Sequence, residues 1–219
     1  MAEEIITPSQ RQFLDFFKKE TDLRQFFYLT GGTALSFFYF RHRLSEDLDF
    51  FAEKDFSLEI VQPFVNRFVE ISKPKKQEYN KLFNRHIFIF TFAQKKILKV
   101  EFGYFEHPRL QKLCQKEGIL VEDLLDLGAN KVFCLFDRFE PKDYIDLYFL
   151  HQGGYSLFKL RKAAEKKFKT KIDPIVFGTV LQKGIKIKFP PKALFKGKIS
   201  AIQKFYAKAA GELKKEIFE

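Results

Sequence analysis

The sequence predicts an α+β unit followed by a helical, basic region. Three observations carry that expectation. Short β-prone runs alternate with helical stretches over the first half, helical periodicity takes over from about Val121, and positive charge gathers towards the end. With 219 residues and 46% hydrophobic content, the chain can bury a real core as one large domain or as a core domain plus a small helical one. We set the boundary so that residues 1–115 form the α+β core and 116–219 the helical part, its C-terminal portion strongly basic. The net formal charge is +11. Residues 151–219 hold 17 Lys and Arg against 5 Asp and Glu, a net of +12, which leaves the first 150 residues at −1. Such a segment attracts a polyanion such as RNA, DNA or an acidic protein, although lysine-rich helices are often plain solvated faces.

The elements follow in order. Thr7 caps a helix with Pro8 in its first turn, running to about Glu20 with Phe13, Leu14 and Phe17 on one face. Phe26 to Leu29 is a short strand that ends at Gly31-Gly32, and Thr33 to Phe40 is a helix leaving that turn. Asp47 to Phe51 is a second strand. Phe56 to Ile71 is helical, with Pro63 as an interior residue that favours a kink. His86–Phe92 and Ile97–Phe102 are strands joined by a hairpin turn at Ala93–Lys96. Leu124–Phe136 and Lys142–Leu150 are helices separated at Glu140-Pro141. The remainder is helical, with breaks near Gly153-Gly154 and near Phe189-Pro190-Pro191. The 30 Phe residues are read as core filling, and Tyr28, Tyr39 and Tyr104 likewise.

Several function classes are set aside. Cys114 and Cys134 make no disulfide framework, no CxxC is present, and no His stands near enough in sequence to mark either as a nucleophile. His42, His86, His107 and His151 fit no metal spacing and read as surface or half-buried residues. The start MAEEIITPSQ lacks the basic and apolar stretches of a signal peptide, and no apolar run approaches bilayer length. A cytoplasmic protein with no membrane partner is the expectation.

The stretch from Leu29 to Phe51, LTGGTALSFFYFRHRLSEDLDFF, carries the chemistry. Glycines between a strand and a helix let backbone approach a phosphate, and the helix N–H groups favour an anion. That turn by itself is common for packing reasons. On a strand, Asp47 and Asp49 share a face while Leu48 and Phe50 take the other. Two carboxylates at ~4 Å repel by about 4 kcal/mol at an effective dielectric near 20. A Mg²⁺ ion would relieve this while keeping substrate phosphates as further ligands. The plainer alternative is an acidic strand end paired with Arg41, Arg43 or Lys54.

Gly-Gly-Thr-Ala-Leu followed by Arg43-x-Ser45-x-Asp47-Leu48-Asp49-Phe50 resembles the nucleotidyltransferase superfamily, the fold of polymerase β. The resemblance implies a polymerase β-like core, a mixed sheet flanked by helices, followed by the helical C-terminal region. It implies nucleotide contacts from Gly31, Gly32, Thr33, Arg43 and Ser45. It also implies metal ligation by Asp47, Asp49 and a third carboxylate on a neighbouring strand, for which Glu101 is the candidate and Glu106 and Glu78 are fallbacks. Superfamily members often carry Asp at that third position.

Further along, Leu127-Gly128-Ala129-Asn130-Lys131 leads to Arg138 and then to Lys142-Asp143-Tyr144-Ile145-Asp146-Leu147. This looks like a block of the AbiEii/AbiGii-type toxins, the nucleotidyltransferase half of type IV-like toxin–antitoxin pairs. The likeness spans residues 26–150 in three separated blocks. Lys131 would hold the triphosphate and neutralise charge on leaving pyrophosphate. Asp146 would orient Lys131 or help deprotonate the acceptor. An ion-pair lock of Arg138, Lys131 and Asp143 would instead simply join two helices. We read Arg138–Asp143 as structural and Lys131–Asp146 as catalytic, beside Asp47 and Asp49.

The expected activity is transfer of a nucleoside monophosphate from an NTP to an acceptor, with Mg²⁺ or Mn²⁺ as cofactor. The resemblance implies a tRNA or other RNA 3′ end, or a protein side chain, as acceptor, and a cognate antitoxin as partner. Two alternatives stay open: a non-catalytic nucleotide- or RNA-binding module, and a transferase that modifies a protein or small molecule. An aminoglycoside acceptor would want an acidic cleft, against which the basic last third argues.

Overall fold

The computed structural model describes residues 5–188, 194 and 199–218, with backbone only from 214. The break expected near Phe189-Pro190-Pro191 lies outside the described residues. Two compact units result: Met1–Pro108 with Lys112–Glu122, and Arg109–Gln111 with Asp123–Glu219.

The first unit opens with α1 (Pro8–Phe17), whose Thr7 cap forms a reciprocal box with Gln10. α1 ends at Phe17, short of the expected Glu20, and a second short helix that was not expected, α2 (Thr21–Phe26), follows it and takes Phe26, so that the strand expected at Phe26–Leu29 is β1 (Tyr28–Thr30). α3 (Gly31–Thr33) then runs directly into a π-helical stretch (Ala34–Phe40), closed by Arg41 in the left-handed region. β2 (Asp47–Ala52) and α4 (Leu58–Ser72) follow, and α4 continues through Pro63 as one helix. The rest of the sheet is β3 (Lys76–Leu82), β4 (Arg85–Thr91), β5 (Ile97–Tyr104), β6 (Cys114–Lys116) and β7 (Ile119–Val121).

These strands form one seven-stranded mixed sheet in the order β3-β4-β5-β2-β1-β7-β6. β2 runs parallel to β5 and antiparallel to β1. Alternation along β2 buries Leu48, Phe50 and Ala52 and leaves Asp47, Asp49 and Phe51 half-buried on the other face. The buried face carries an aromatic core. Phe17 of α1 lies 4.4 Å from Phe50, Phe13 lies 5.3 Å from Phe64 of α4, and Phe50 stacks on Phe102 of β5 at 5.3 Å.

The second unit is helical: α5 (Leu124–Asp137), α6 (Pro141–Gln152), α7 (Leu157–Phe168), α8 (Pro174–Lys183) and α9 (Ile199–Phe218). Gly128 lets α5 approach α7, since a Cβ there would collide with Leu160. Phe133 and Phe168 stack between the same helices at 4.1 Å. Tyr206 of α9 donates to the Tyr144 carbonyl at 2.6 Å, and Tyr144 donates to the Val180 carbonyl at 2.9 Å. Asp126 organises the interior: it accepts Lys167 Nζ at 2.8 Å, with both side chains fully buried, and also the backbone N–H groups of Leu110 and Gln111. That last pair ties residues 109–111 to this unit. Among the described residues no helix is long and apolar enough to cross a membrane.

Candidate active site

The site on the first unit begins at the turn between β1 and α3. Gly31 sits at φ +71°, a conformation L side chains rarely adopt, and a Cβ there would strike the Asp49 carboxylate. A Cβ on Gly32 would strike the Arg43 guanidinium and come within 3.0 Å of Ser45 Oγ. The two glycines therefore bring bare backbone against a carboxylate, a guanidinium and a hydroxyl. Thr33 is fully buried, and its hydroxyl donates to the Asp47 carbonyl, which ties α3 to the start of β2. Gln10, the N3 residue of the α1 cap, donates Nε2 to the Ser45 carbonyl at 2.9 Å. Arg43 is buried and donates Nη1 to the Leu44 carbonyl at 3.0 Å.

The parallel register of β2 and β5 sets Asp47 opposite Lys99 and Asp49 opposite Glu101. Lys99 Nζ lies 3.2 Å from Asp47, and Arg85 Nη1 lies 3.2 Å from the buried Glu101 carboxylate. The plainer alternative paired this acidic strand end with Arg41, Arg43 or Lys54; Lys99 is a cation on Asp47 that it did not name. Among the described residues no group of three or more His, Cys, Asp or Glu converges as a ligand cluster. The donor set nevertheless suits a hard divalent cation. Three carboxylates of adjacent strands occupy neighbouring register positions, Asp47 beside Lys99 and Glu101 beside Arg85.

In the second unit Lys131 stands between two buried carboxylates, 2.6 Å from Asp143 and 2.7 Å from Asp146. Arg138 Nε donates to Asp143 at 2.9 Å. Burial raises the Asp143 carboxyl, but Lys131 and Arg138 outweigh it and hold the group below its ordinary range. Lys131 thus joins both pairings that we had read separately. Burial pushes the Cys134 thiol up, which leaves it a poor nucleophile. Of the histidines read as surface or half-buried, His42 and His86 are buried; aromatic packing covers both, beside Phe40 and Phe56.

A family described as "Nucleotidyl transferase AbiEii toxin, Type IV TA system" matches residues 15–214. The chain belongs to the AbiEii family. A relative, the uncharacterized protein aq_aa25 of Aquifex aeolicus (strain VF5), is 29% identical over 147 residues, 65% of this chain. The match spans 66% of that relative's own length. Among solved structures, JHP933 from Helicobacter pylori superposes with a TM-score of 0.62 at 20% identity, over 95% of this chain and 91% of that one. A second H. pylori protein, proposed to be a nucleotidyltransferase, gives 0.58 at 20% identity over 95% and 94%. These likenesses bear out the expected fold class, a mixed sheet with flanking helices.

In this AbiEii-family chain, one unit brings together Gly31, Gly32, Thr33, Arg43, Ser45, Asp47, Asp49 and Glu101. Lys131 and Asp146 belong to the other. Glu78, a fallback third acid, is on the outer strand β3 beside Lys76, and the other fallback, Glu106, lies beyond the end of β5. Gln10, Arg85 and Lys99 were not anticipated. Lys99 and Glu101 share a strand face at spacing two, a signal present in the sequence. Gln10 and Arg85 left none, because their contacts depend on non-local pairing.

Proposed function

We propose that this chain transfers a nucleoside monophosphate from an NTP to an acceptor hydroxyl, with RNA, in particular a tRNA 3′ end, as acceptor. The observation that carries this reading is the glycine turn packed against Asp49 and Arg43, with Glu101 beside Asp49 on the next strand. Backbone N–H groups at Gly31 and Gly32 bind phosphate oxygens, and Arg43 and Ser45 add charge and a hydroxyl at the same turn. Asp47, Asp49 and Glu101 would hold Mg²⁺ or Mn²⁺. When bound, such ions supply Lewis-acid stabilisation of charge on the α-phosphate and lower the pKa of an attacking hydroxyl. Thr33 and Gln10 hold the turn in place through the Asp47 and Ser45 carbonyls, and Thr33 stays among the nucleotide contacts with Gly31 and Gly32. For Lys131, held by Asp143 and Asp146 in the helical unit, family membership supports the role of neutralising charge on the triphosphate and leaving pyrophosphate. Family membership supports a toxin role and a cognate antitoxin; the basic stretch 151–219 supports an RNA acceptor. A cytoplasmic site of action fits a nucleotide substrate.

The test is transfer of α-labelled NTP in the presence of Mg²⁺ and total tRNA, beside an Asp49→Ala control. Label on RNA with the native chain alone supports the reading. NTP binding without transfer to RNA would favour a protein or small-molecule acceptor, or a non-catalytic binding module. Absence of NTP binding would overturn it.

A further inference from the structure

We propose that Glu122 is a positioning residue for nucleotide binding, an inference that rests on reading the glycine turn as the NTP site. It draws the Thr30 hydroxyl away from the helix cap, so that the N–H groups of the turn are left to phosphate. Glu122 directly follows β7 and touches the chain on both sides of the turn. Its N–H donates to the Leu29 carbonyl at 3.0 Å, its carbonyl accepts the Tyr39 hydroxyl at 2.9 Å, and its carboxylate accepts the Thr30 hydroxyl. Leu29 and Thr30 precede the two glycines, and Tyr39 follows them in the π-helical stretch. All of these groups lie within the first unit.

Glu122 is fully buried, and Thr30 is only 2% exposed. A carboxylate is costly to take out of water unless hydrogen bonds replace those of the solvent. Packing alone would be served by an apolar residue at this place. What the carboxylate adds is a buried acceptor for the hydroxyl next to the glycines.

Thr30 supplies the independent observation. It is the N-cap residue of α3, and its backbone, at φ −133° and ψ −165°, has the extended conformation of a capping residue. A threonine so placed ordinarily accepts an N–H of the first helical turn through its hydroxyl, here that of Gly32 or Thr33. The Thr30 side chain makes no such bond. Thr33, on the other side of the glycines, has its own hydroxyl committed to the Asp47 carbonyl. Both hydroxyls beside the glycines are therefore held off the N–H groups that bind phosphate oxygens in the proposed site. Without the Glu122 acceptor, the Thr30 hydroxyl would turn onto the helix and compete with phosphate for those donors.

The experiment is calorimetric titration of the full chain with Mg²⁺ and ATP, GTP, CTP or UTP, repeated on variants with whichever of these the parent binds most tightly. Glu122→Leu removes the acceptor and lets the hydroxyl cap the helix; it should weaken binding about fivefold, the equivalent of one helix cap. Glu122→Gln still accepts the hydroxyl and should bind as the parent does. Adding Thr30→Val to Glu122→Leu removes the competing hydroxyl, keeps the β-branched shape and should restore the lost affinity. A residue that only supported the fold would gain nothing from that second substitution. If Glu122→Leu does not fold, Glu122→Gln and the double variant, in which both partners are apolar, carry the test. Weakened binding in Glu122→Gln or in the double variant, or parent-like binding in Glu122→Leu, overturns this role for Glu122 and leaves the NTP site standing. A parent chain that binds none of these nucleotides overturns it together with the reading on which it rests.

Discussion

At the residue scale, Gly31 and Asp49 have to be considered together. Only a residue without a Cβ fits at Gly31, because the Asp49 carboxylate occupies the space and φ is +71°. Gly31→Ala should cost about 1–2 kcal/mol from the left-handed backbone, read as a lower urea midpoint, with a further loss of NTP affinity from the displaced carboxylate. Asp49→Asn keeps the shape and removes the charge. It should lower transfer by roughly a hundredfold or more, since even outer partners of metal ligands are worth 10–100-fold. Asn matches Asp in size at this half-buried position, so the circular dichroism spectrum should stay that of the parent; an unchanged rate would remove Asp49 from the site.

At the element scale, two helices meet through a buried charge network. Lys131 bridges Asp143 and Asp146, and Arg138 takes the other face of Asp143. Removing one partner from such a network leaves an uncompensated buried charge, at a cost of about 3–5 kcal/mol. Asp143→Asn should show that loss at neutral pH in urea unfolding. The sign with pH follows from the depressed Asp143 carboxyl. Its stabilisation is fully present above the unfolded value of about 3.9 and is lost as pH falls through the lower folded value. The gap between parent and Asp143→Asn should therefore close as the medium is taken below about pH 4. A gap that stays constant to the acid limit would mean the carboxyl is not held low.

The same scale shows what was legible. The alternation in Asp47–Ala52 was readable because a strand has a period of two, whatever packs on it. β3 was not: all seven residues, Lys76 to Leu82, are exposed, so no apolar pattern marks a strand whose existence rests on pairing with β4. β6 and β7 are three residues each, too short to show a period. The π-helical turn from Ala34 to Phe40 reads as ordinary helix from its composition, because apolar spacing does not distinguish a fifth-residue bond from a fourth.

At the scale of the whole molecule, charge is the dominant feature. If RNA is the acceptor, as proposed, a net of +12 over residues 151–219 predicts phosphate-backbone contact. If six to ten phosphates are engaged, affinity for tRNA should fall by roughly 10³–10⁵ between 50 and 200 mM salt, measured by filter binding. A flat salt response would assign those lysines to solvation. Not all of that charge is on the surface, however. Arg161 lines a cavity, and Lys167 is fully buried against Asp126. Counting charges along a chain cannot separate these from solvated lysines.

The sequence by itself determined the features that follow from local spacing. Among these are the glycine turn, the two aspartates on one strand face, the helix start at Thr7-Pro8, and the family those blocks share. Only the tertiary structure decided the partners. It set β5 parallel to β2 so that Glu101 lies beside Asp49 and Lys99 beside Asp47, and it joined Lys131 to both Asp143 and Asp146. It also gave residues 109–111 to the helical unit through their N–H groups on Asp126. The physical reason is one of range. Side-chain periods of 2 and 3.6 are properties of the backbone and act over a few residues. Register between distant strands and the burial of a lysine are settled by packing of the whole core, and no short window of sequence records that competition.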